Sequence, residues 1–175
     1  MGLYVHSLGE LPLGAERGYY VYLLDYGWDE PLGEVLWKNL PRMADRASRS
    51  DAVVIHGPRG EHFEDEVLSW HHINGEPAEE ILPALLVTTR HPSTIRQSYG
   101  PTSGLSVPQD AMLLISLKKR CRTARDVTDL IQQVFADIAA QKSLLDFRSR
   151  VGCERGWGEP WWTPSSSNRV LEAWA

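Results

Sequence analysis

An α/β domain is the fold class this sequence predicts, and three observations predict it. Short runs of β-branched, aromatic and aliphatic residues at 19–24, 52–55, 82–88 and 112–117 have the length and composition of buried strands. Segments between and after them carry apolar residues every three or four positions, the spacing of a helix with one buried stripe. The composition, 42% hydrophobic and 23% charged, suits a packed globular chain rather than a disordered, collagen-like or coiled-coil one.

Taken in order, residues 1–18 carry Gly2, Gly9, Pro12 and Gly14 among short apolar pieces and read as an irregular arm or a short edge strand. Tyr19 to Leu24 is a central strand, stopped by the turn residues Asp25-Tyr26-Gly27. Asp29-Glu30-Pro31 offers a cap, an acidic first turn and an early proline, so a helix is expected from about Pro31 to Arg49, bent at Pro41. Ala52 to Ile55 is wholly apolar, as in a strand buried on both faces. A strand, helix, strand unit of this kind places its two strands parallel. A second helix is expected over 61–72, with Phe63, Val67 and Trp70 or His71 on one face. Residues 89–110, with three prolines, read as a long loop with a single helical turn. The strongest helix begins at Thr123, where Asp126 completes a capping box, and its apolar stripe continues to about Leu145. The domain is therefore expected over 19–150, followed by an irregular arm, 151–175, rich in Trp, Gly, Pro and Ser.

The charge balance, 18 Lys plus Arg against 23 Asp plus Glu, gives a net charge of -5 and argues against a general nucleic-acid binder, which needs a basic face. Two cysteines, Cys121 and Cys153, make neither a disulfide framework nor a four-ligand zinc site. No stretch has the length and apolarity of a membrane span, and Met1 to Glu16 lacks the pattern of a secretion signal, so a cytoplasmic location and no membrane partner are expected.

The segment Leu82-Pro83-Ala84-Leu85-Leu86-Val87, with the strand 112–117 and the helix from Thr123 after it, resembles the thioredoxin-like fold, whose cis-proline strand has this form. The resemblance covers residues 19–145 and implies a mixed four-stranded central sheet flanked by helices. It departs from the redox members at the decisive place, because Asp25-Tyr26-Gly27-Trp28-Asp29-Glu30 follows the first strand without a cysteine. A redox-inactive binding or scaffold module is what the resemblance implies.

Candidate chemistry is sparse. Asp25, Trp28, Asp29 and Glu30 lie just past a strand's carboxyl end, where open parallel sheets place ligands, and could act as a base or bind a cation; Asp29 or Glu30 equally reads as a helix cap. Gly57-Pro58-Arg59-Gly60 also joins a strand to a helix and could hold an anion, though without the spacing of a P-loop or a dinucleotide site, so no cofactor is expected. Lys118-Lys119-Arg120-Cys121-Arg122 is the one concentrated cationic run: an anion-binding patch or a solvated strand end, with Cys121 a reactive-thiol candidate because cations and a helix start favour thiolate. Asp65, Ser69 and His72 share a helix face in triad-like order without an oxyanion motif. His62 and Glu66 could supply two metal ligands, with His56 or His91 needed to close a site, and no metal is expected. His71 beside Trp70 reads as a packed helix residue.

The tail holds four tryptophans, Trp157, Trp161, Trp162 and Trp174, beside prolines and glycines, and such rings must dock either on their own domain or on a partner. The functional expectation is a non-enzymatic binding or assembly subunit acting through protein–protein contacts or self-association, with this tail as its docking arm. The alternative is a small hydrolase or transferase using Asp25, Glu30, Arg59 and His71 at the strand ends.

Overall fold

The architecture is that of a computed structural model, which describes residues 1–12, 16–27, 31–59, 62–71, 73, 77–98 and 111–151. Its strands are β1 (Gly2–Tyr4), β2 (Tyr19–Leu24), β3 (Ala52–His56), β4 (Ala84–Thr88) and β5 (Met112–Ser116), joined in one sheet in the order β1-β3-β2-β4-β5. β1 and β2 both pair parallel with β3, whereas β4 is antiparallel to β2 and to β5, so the sheet is mixed. The strand, helix, strand unit is parallel as its connection requires.

Five strands stand where the sequence suggests four. The additional one is Gly2–Tyr4, which takes the edge-strand form of the two readings open for the N-terminal segment and pairs Gly2 with Val54 and Tyr4 with His56. Three residues are too few to show a period-2 pattern; tertiary pairing on the open side of β3 makes this strand.

Eight helices accompany the sheet among the described residues: α1 (Pro31–Lys38), α2 (Leu40–Ser48), α3 (Phe63–Trp70), α4 (Ala78–Ile81), α5 (Pro92–Ser98), α6 (Leu117–Arg120), α7 (Ala124–Ala139) and α8 (Leu144–Val151). The single helix expected over 31–49 is divided at Asn39, because Pro41 has no N–H to offer the carbonyl four residues back. The last strong helix ends at Ala139, earlier than its apolar stripe suggests. There Gln141 turns left-handed, with φ 52°, before α8 begins. Pro92 opens α5 inside the region read as a loop. The Leu82–Pro83 peptide just before β4 is cis.

Alternation along β2 separates two cores. Tyr19, Val21 and Leu23 face the layer of α1, α2, α7 and α8, packing with Leu36, Met43, Val127, Ile131, Val134 and Phe147. Tyr20, Tyr22 and Leu24 face the opposite layer, with Phe63, Val67 and Leu68 of α3, Ile81 of α4 and Leu8 of a short 3-10 turn, Leu8–Glu10. All six β2 residues are buried, which accounts for a run of apolar and aromatic residues without polar alternation.

Candidate functional site

Strand register gathers the chemistry-bearing residues at one end of the sheet. Tyr4 pairs with His56, Leu24 with Ala84, and Ala84 with Ser116, so the carboxyl ends of β1, β2, β3 and β5 and the start of β4 lie together. Asp25 and Tyr26 leave β2 there, Arg59 follows β3, and the basic run follows β5.

Asp25 is buried and structurally engaged. One carboxylate oxygen accepts the Trp37 indole N–H at 2.7 Å, and the other accepts the Gly27 amide at 3.1 Å. Gly33 of α1 makes room for this carboxylate, since a Cβ there would sit 2.8 Å from its oxygen. Trp37 connects Asp25 to Arg59, whose guanidinium lies 4.7 Å from the centroid of its ring and pairs with Glu34 at 3.1 Å. The Arg59 stem crosses Gly27, which has φ 78° and is itself a position that suits glycine. Asp25 and Arg59, separated by more than thirty residues in sequence, therefore belong to one assembly.

An aromatic row continues from it along the rim. Trp37 meets His56 edge to face at 5.2 Å, His56 meets Tyr4 at 5.3 Å, and Tyr4 meets His6 at 5.0 Å. Burial holds the His56 imidazole below its usual pKa, favouring its neutral form. Tyr4 is 53% exposed and gives the rim an apolar outer surface. Sequence reading missed Tyr4, His6 and Trp37 as a group, because only the pairing of β1 with β3 brings them together.

The start of α3 closes the other flank. Phe63 packs where a Cβ on Gly57 would be 2.2 Å from its ring carbon, so the turn after β3 needs glycine. The Tyr26 hydroxyl donates to Asp65, and burial together with that bond raises the phenol's pKa, keeping it protonated. Glu64 is 1% exposed, with one carboxylate oxygen buried and lacking a hydrogen-bond partner among the described residues. Burial pushes its carboxyl up to about 7; its own backbone amide and that of Asp25 oppose the shift, and the charges of Asp25 and Asp65 add to it. Glu64 was not singled out from sequence, although 64, 67, 68 and 71 share one helical stripe and its other members are Val67, Leu68 and His71.

Other candidates have structural duties. His71, expected as a catalytic residue in the enzyme alternative, is fully buried; its Nδ1 lies 2.7 Å from the Val67 carbonyl and its ring meets Tyr22 at 5.2 Å. It is thus a core residue rather than part of the Asp25–Arg59 assembly. Glu66, the proposed companion of His62, instead ties the 3-10 turn to α3, accepting from the Ser7 hydroxyl at 2.9 Å and the Leu8 amide at 2.8 Å. No group of three metal-ligating side chains stands together among the described residues. His91 pairs with Ser93 at 2.7 Å and meets the ring of Tyr20.

The expected thiolate at Cys121 is reversed. The side chain is buried, and desolvation pushes its thiol up to about 11, outweighing the nearby Arg120. The helix start beside it is capped from within the chain. Asp126 accepts the amides of Arg122 and Thr123, both at 2.9 Å, while its own amide donates to Thr123 Oγ1, so the first turn of α7 is capped by its own box. Those amides hold the Asp126 carboxyl below its ordinary pKa. Lys118 donates to the Glu79 carbonyl at 2.7 Å. Lys119, Arg120 and Arg122 share this rim, but α7's helix-start amides do not await a ligand.

Trp28, Asp29, Glu30, His72, Cys153, Trp157, Trp161, Trp162 and Trp174 lie outside the described residues. No helix among the described residues is long and apolar enough to cross a membrane. No family model, curated protein or solved structure matches this chain.

Proposed function

We propose that the chain is a non-enzymatic binding or assembly subunit of thioredoxin-like arrangement, acting through protein–protein contacts with the tryptophan-rich segment beyond Val151 as its docking arm. One observation carries this reading. The candidate acid–base groups at the strand ends are engaged with one another and with the backbone: Asp25 with Gly27 and Trp37, Arg59 with Glu34, and Asp65 with Tyr26. Their geometry suits a rigid scaffold, and the outward group beside them is the aromatic side chain of Tyr4.

The thioredoxin-like arrangement draws support from the order β1-β3-β2-β4-β5, with the last two strands antiparallel to each other, and from Pro83 immediately before β4. Redox chemistry does not come with it, since residues 25–30 contain no cysteine. A cytoplasmic setting fits a buried, free Cys121.

The test is affinity purification from the native host of the full chain, of a chain ending at Val151, and of a full-length variant with Trp157, Trp161, Trp162 and Trp174 changed to Ala. A stoichiometric partner held by the full chain and lost by both variants is expected. Retention of every partner by both variants would sink the docking-arm reading. If the full chain captures no partner, and Asp25→Asn abolishes a detected activity without lowering stability, the strand-end hydrolase or transferase takes its place.

A further inference from the structure

Helix α3 is attached to the end of β2 by two polar contacts of opposite character. One, from Tyr26 to Asp65, is a neutral donor serving a carboxylate. The other is the Glu64 carboxyl, which accepts the Asp25 amide and is enclosed with one oxygen unpartnered among the described residues. Among the described residues, the charges that act on Glu64 are Asp25 at the end of β2 and Asp65 on α3 itself, and both are negative. Tyr26, between β2 and α3, feels Asp65, Glu64 and Glu79 of α4 and stays neutral. Arg59, the cation that follows β3, is engaged by Glu34 and Trp37. The amides of Asp25 and of Glu64 itself favour the ionised form, but desolvation together with the two like charges outweighs them, so a carboxyl enclosed in this way fits when it carries a proton.

We propose that Glu64 is a proton-operated latch: protonated, it holds the first turn of α3 against the carboxyl end of β2; ionised, it sets a second buried negative charge beside Asp25 and releases that turn. Release would uncover Phe63 and the Tyr26–Asp65 contact, changing the apolar surface next to the aromatic rim. The sign follows from linkage. A carboxyl whose pKa is raised on folding, here from 4.5 to about 7, favours the closed form fully below its open-state value and loses that contribution as pH rises towards and through 7. The latch is closed in mild acid and open in mild base.

Native-state hydrogen exchange on the full chain tests this, reading the amides of Glu66 and Val67 between pH 5.5 and 8.5 in low urea after correction for intrinsic rates. Their opening is expected to increase on the order of tenfold or more across this range, with little urea dependence, while α7 exchanges through a larger, urea-sensitive opening. Glu64→Gln, of the same shape and without charge, should flatten the pH response and remain closed at pH 8.5; Asp65→Asn, which leaves Glu64 ionisable, should retain it. A flat response in the unmodified chain overturns the latch. So does a pH response that survives Glu64→Gln, or exchange of α3 only together with α7.

Discussion

Two carboxylates in this molecule are equally buried, each 1% exposed, and they are held in contrary ways. Asp137, near the end of α7, has the Lys142 ammonium and the Gln133 amide on one oxygen. Each acid also has one buried oxygen without a hydrogen-bond partner among the described residues, but at Glu64, at the start of α3, the neighbouring charges of Asp25 and Asp65 are negative. The first is a buried charge with its counter-ion, which fixes the turn from α7 into α8. The second is a buried acid suited to its proton. Burial alone therefore does not say what an acid does; the sign of its neighbours does.

Removing the cation should give the largest effect. Lys142→Ala leaves Asp137 enclosed without its partner, and a loss of about 3 kcal/mol is expected by urea unfolding at pH 7. A loss under 1 kcal/mol would mean that water reaches Asp137 and that the two acids are less alike in burial than they stand here. Glu64→Gln should act in the other direction, raising stability at pH 8 by on the order of 2 kcal/mol and having little effect at pH 4, below the range in which the folded carboxyl retains its extra proton. Unfolding curves collected every half pH unit would show whether the crossover exists.

Asp25 supplies an intermediate case, buried with neutral donors only. Trp37→Phe removes its 2.7 Å indole donor while keeping the ring, and should cost about 1.5 kcal/mol, against almost nothing in an Asp25→Ala background if the two act as a pair. The exposed pair supplies the lower limit: Arg59→Ala should cost less than about 1 kcal/mol, because Arg59 and Glu34 are 39% and 46% exposed and solvent screens them. A double-mutant cycle with Glu34→Ala that returned more than this would move Arg59 from the rim's surface into its framework.

How much of this was legible follows the range of the interactions. Strands β2, β3, β4 and β5 announce themselves because apolar runs such as Val53-Val54-Ile55 need burial on both faces. The Thr123–Asp126 box is legible because it is built from residues three apart, and its geometry is the expected one. The site is less legible. Asp25 and Arg59 stand out in the sequence by their position after a strand, yet their link through Trp37 depends on how α1 lies over the sheet. Cys121 has charged neighbours in sequence, whereas its environment is set by the packing of its side chain in the core with Leu117 and Val127. Glu64 could have been found by noticing an acid inside the stripe of Val67, Leu68 and His71, but first-turn acids are so common on exposed helices that the signal is easily discounted.

The order of the sheet also governs how the chain reaches it. β1 is synthesised first but cannot pair until β3 exists, and the central antiparallel pair must bring Tyr20 to Thr88 and Leu24 to Ala84 across the intervening helices. Each of these pairings closes a long loop before it gains a contact, which places such chains among the slower folders. During that interval the outer edge of β3, Ala-Val-Val-Ile without a charge or proline, is open to any extended segment of another chain. The three residues of β1 are thus the chain's own cover for that edge, and refolding at lower concentration is expected to give the higher yield.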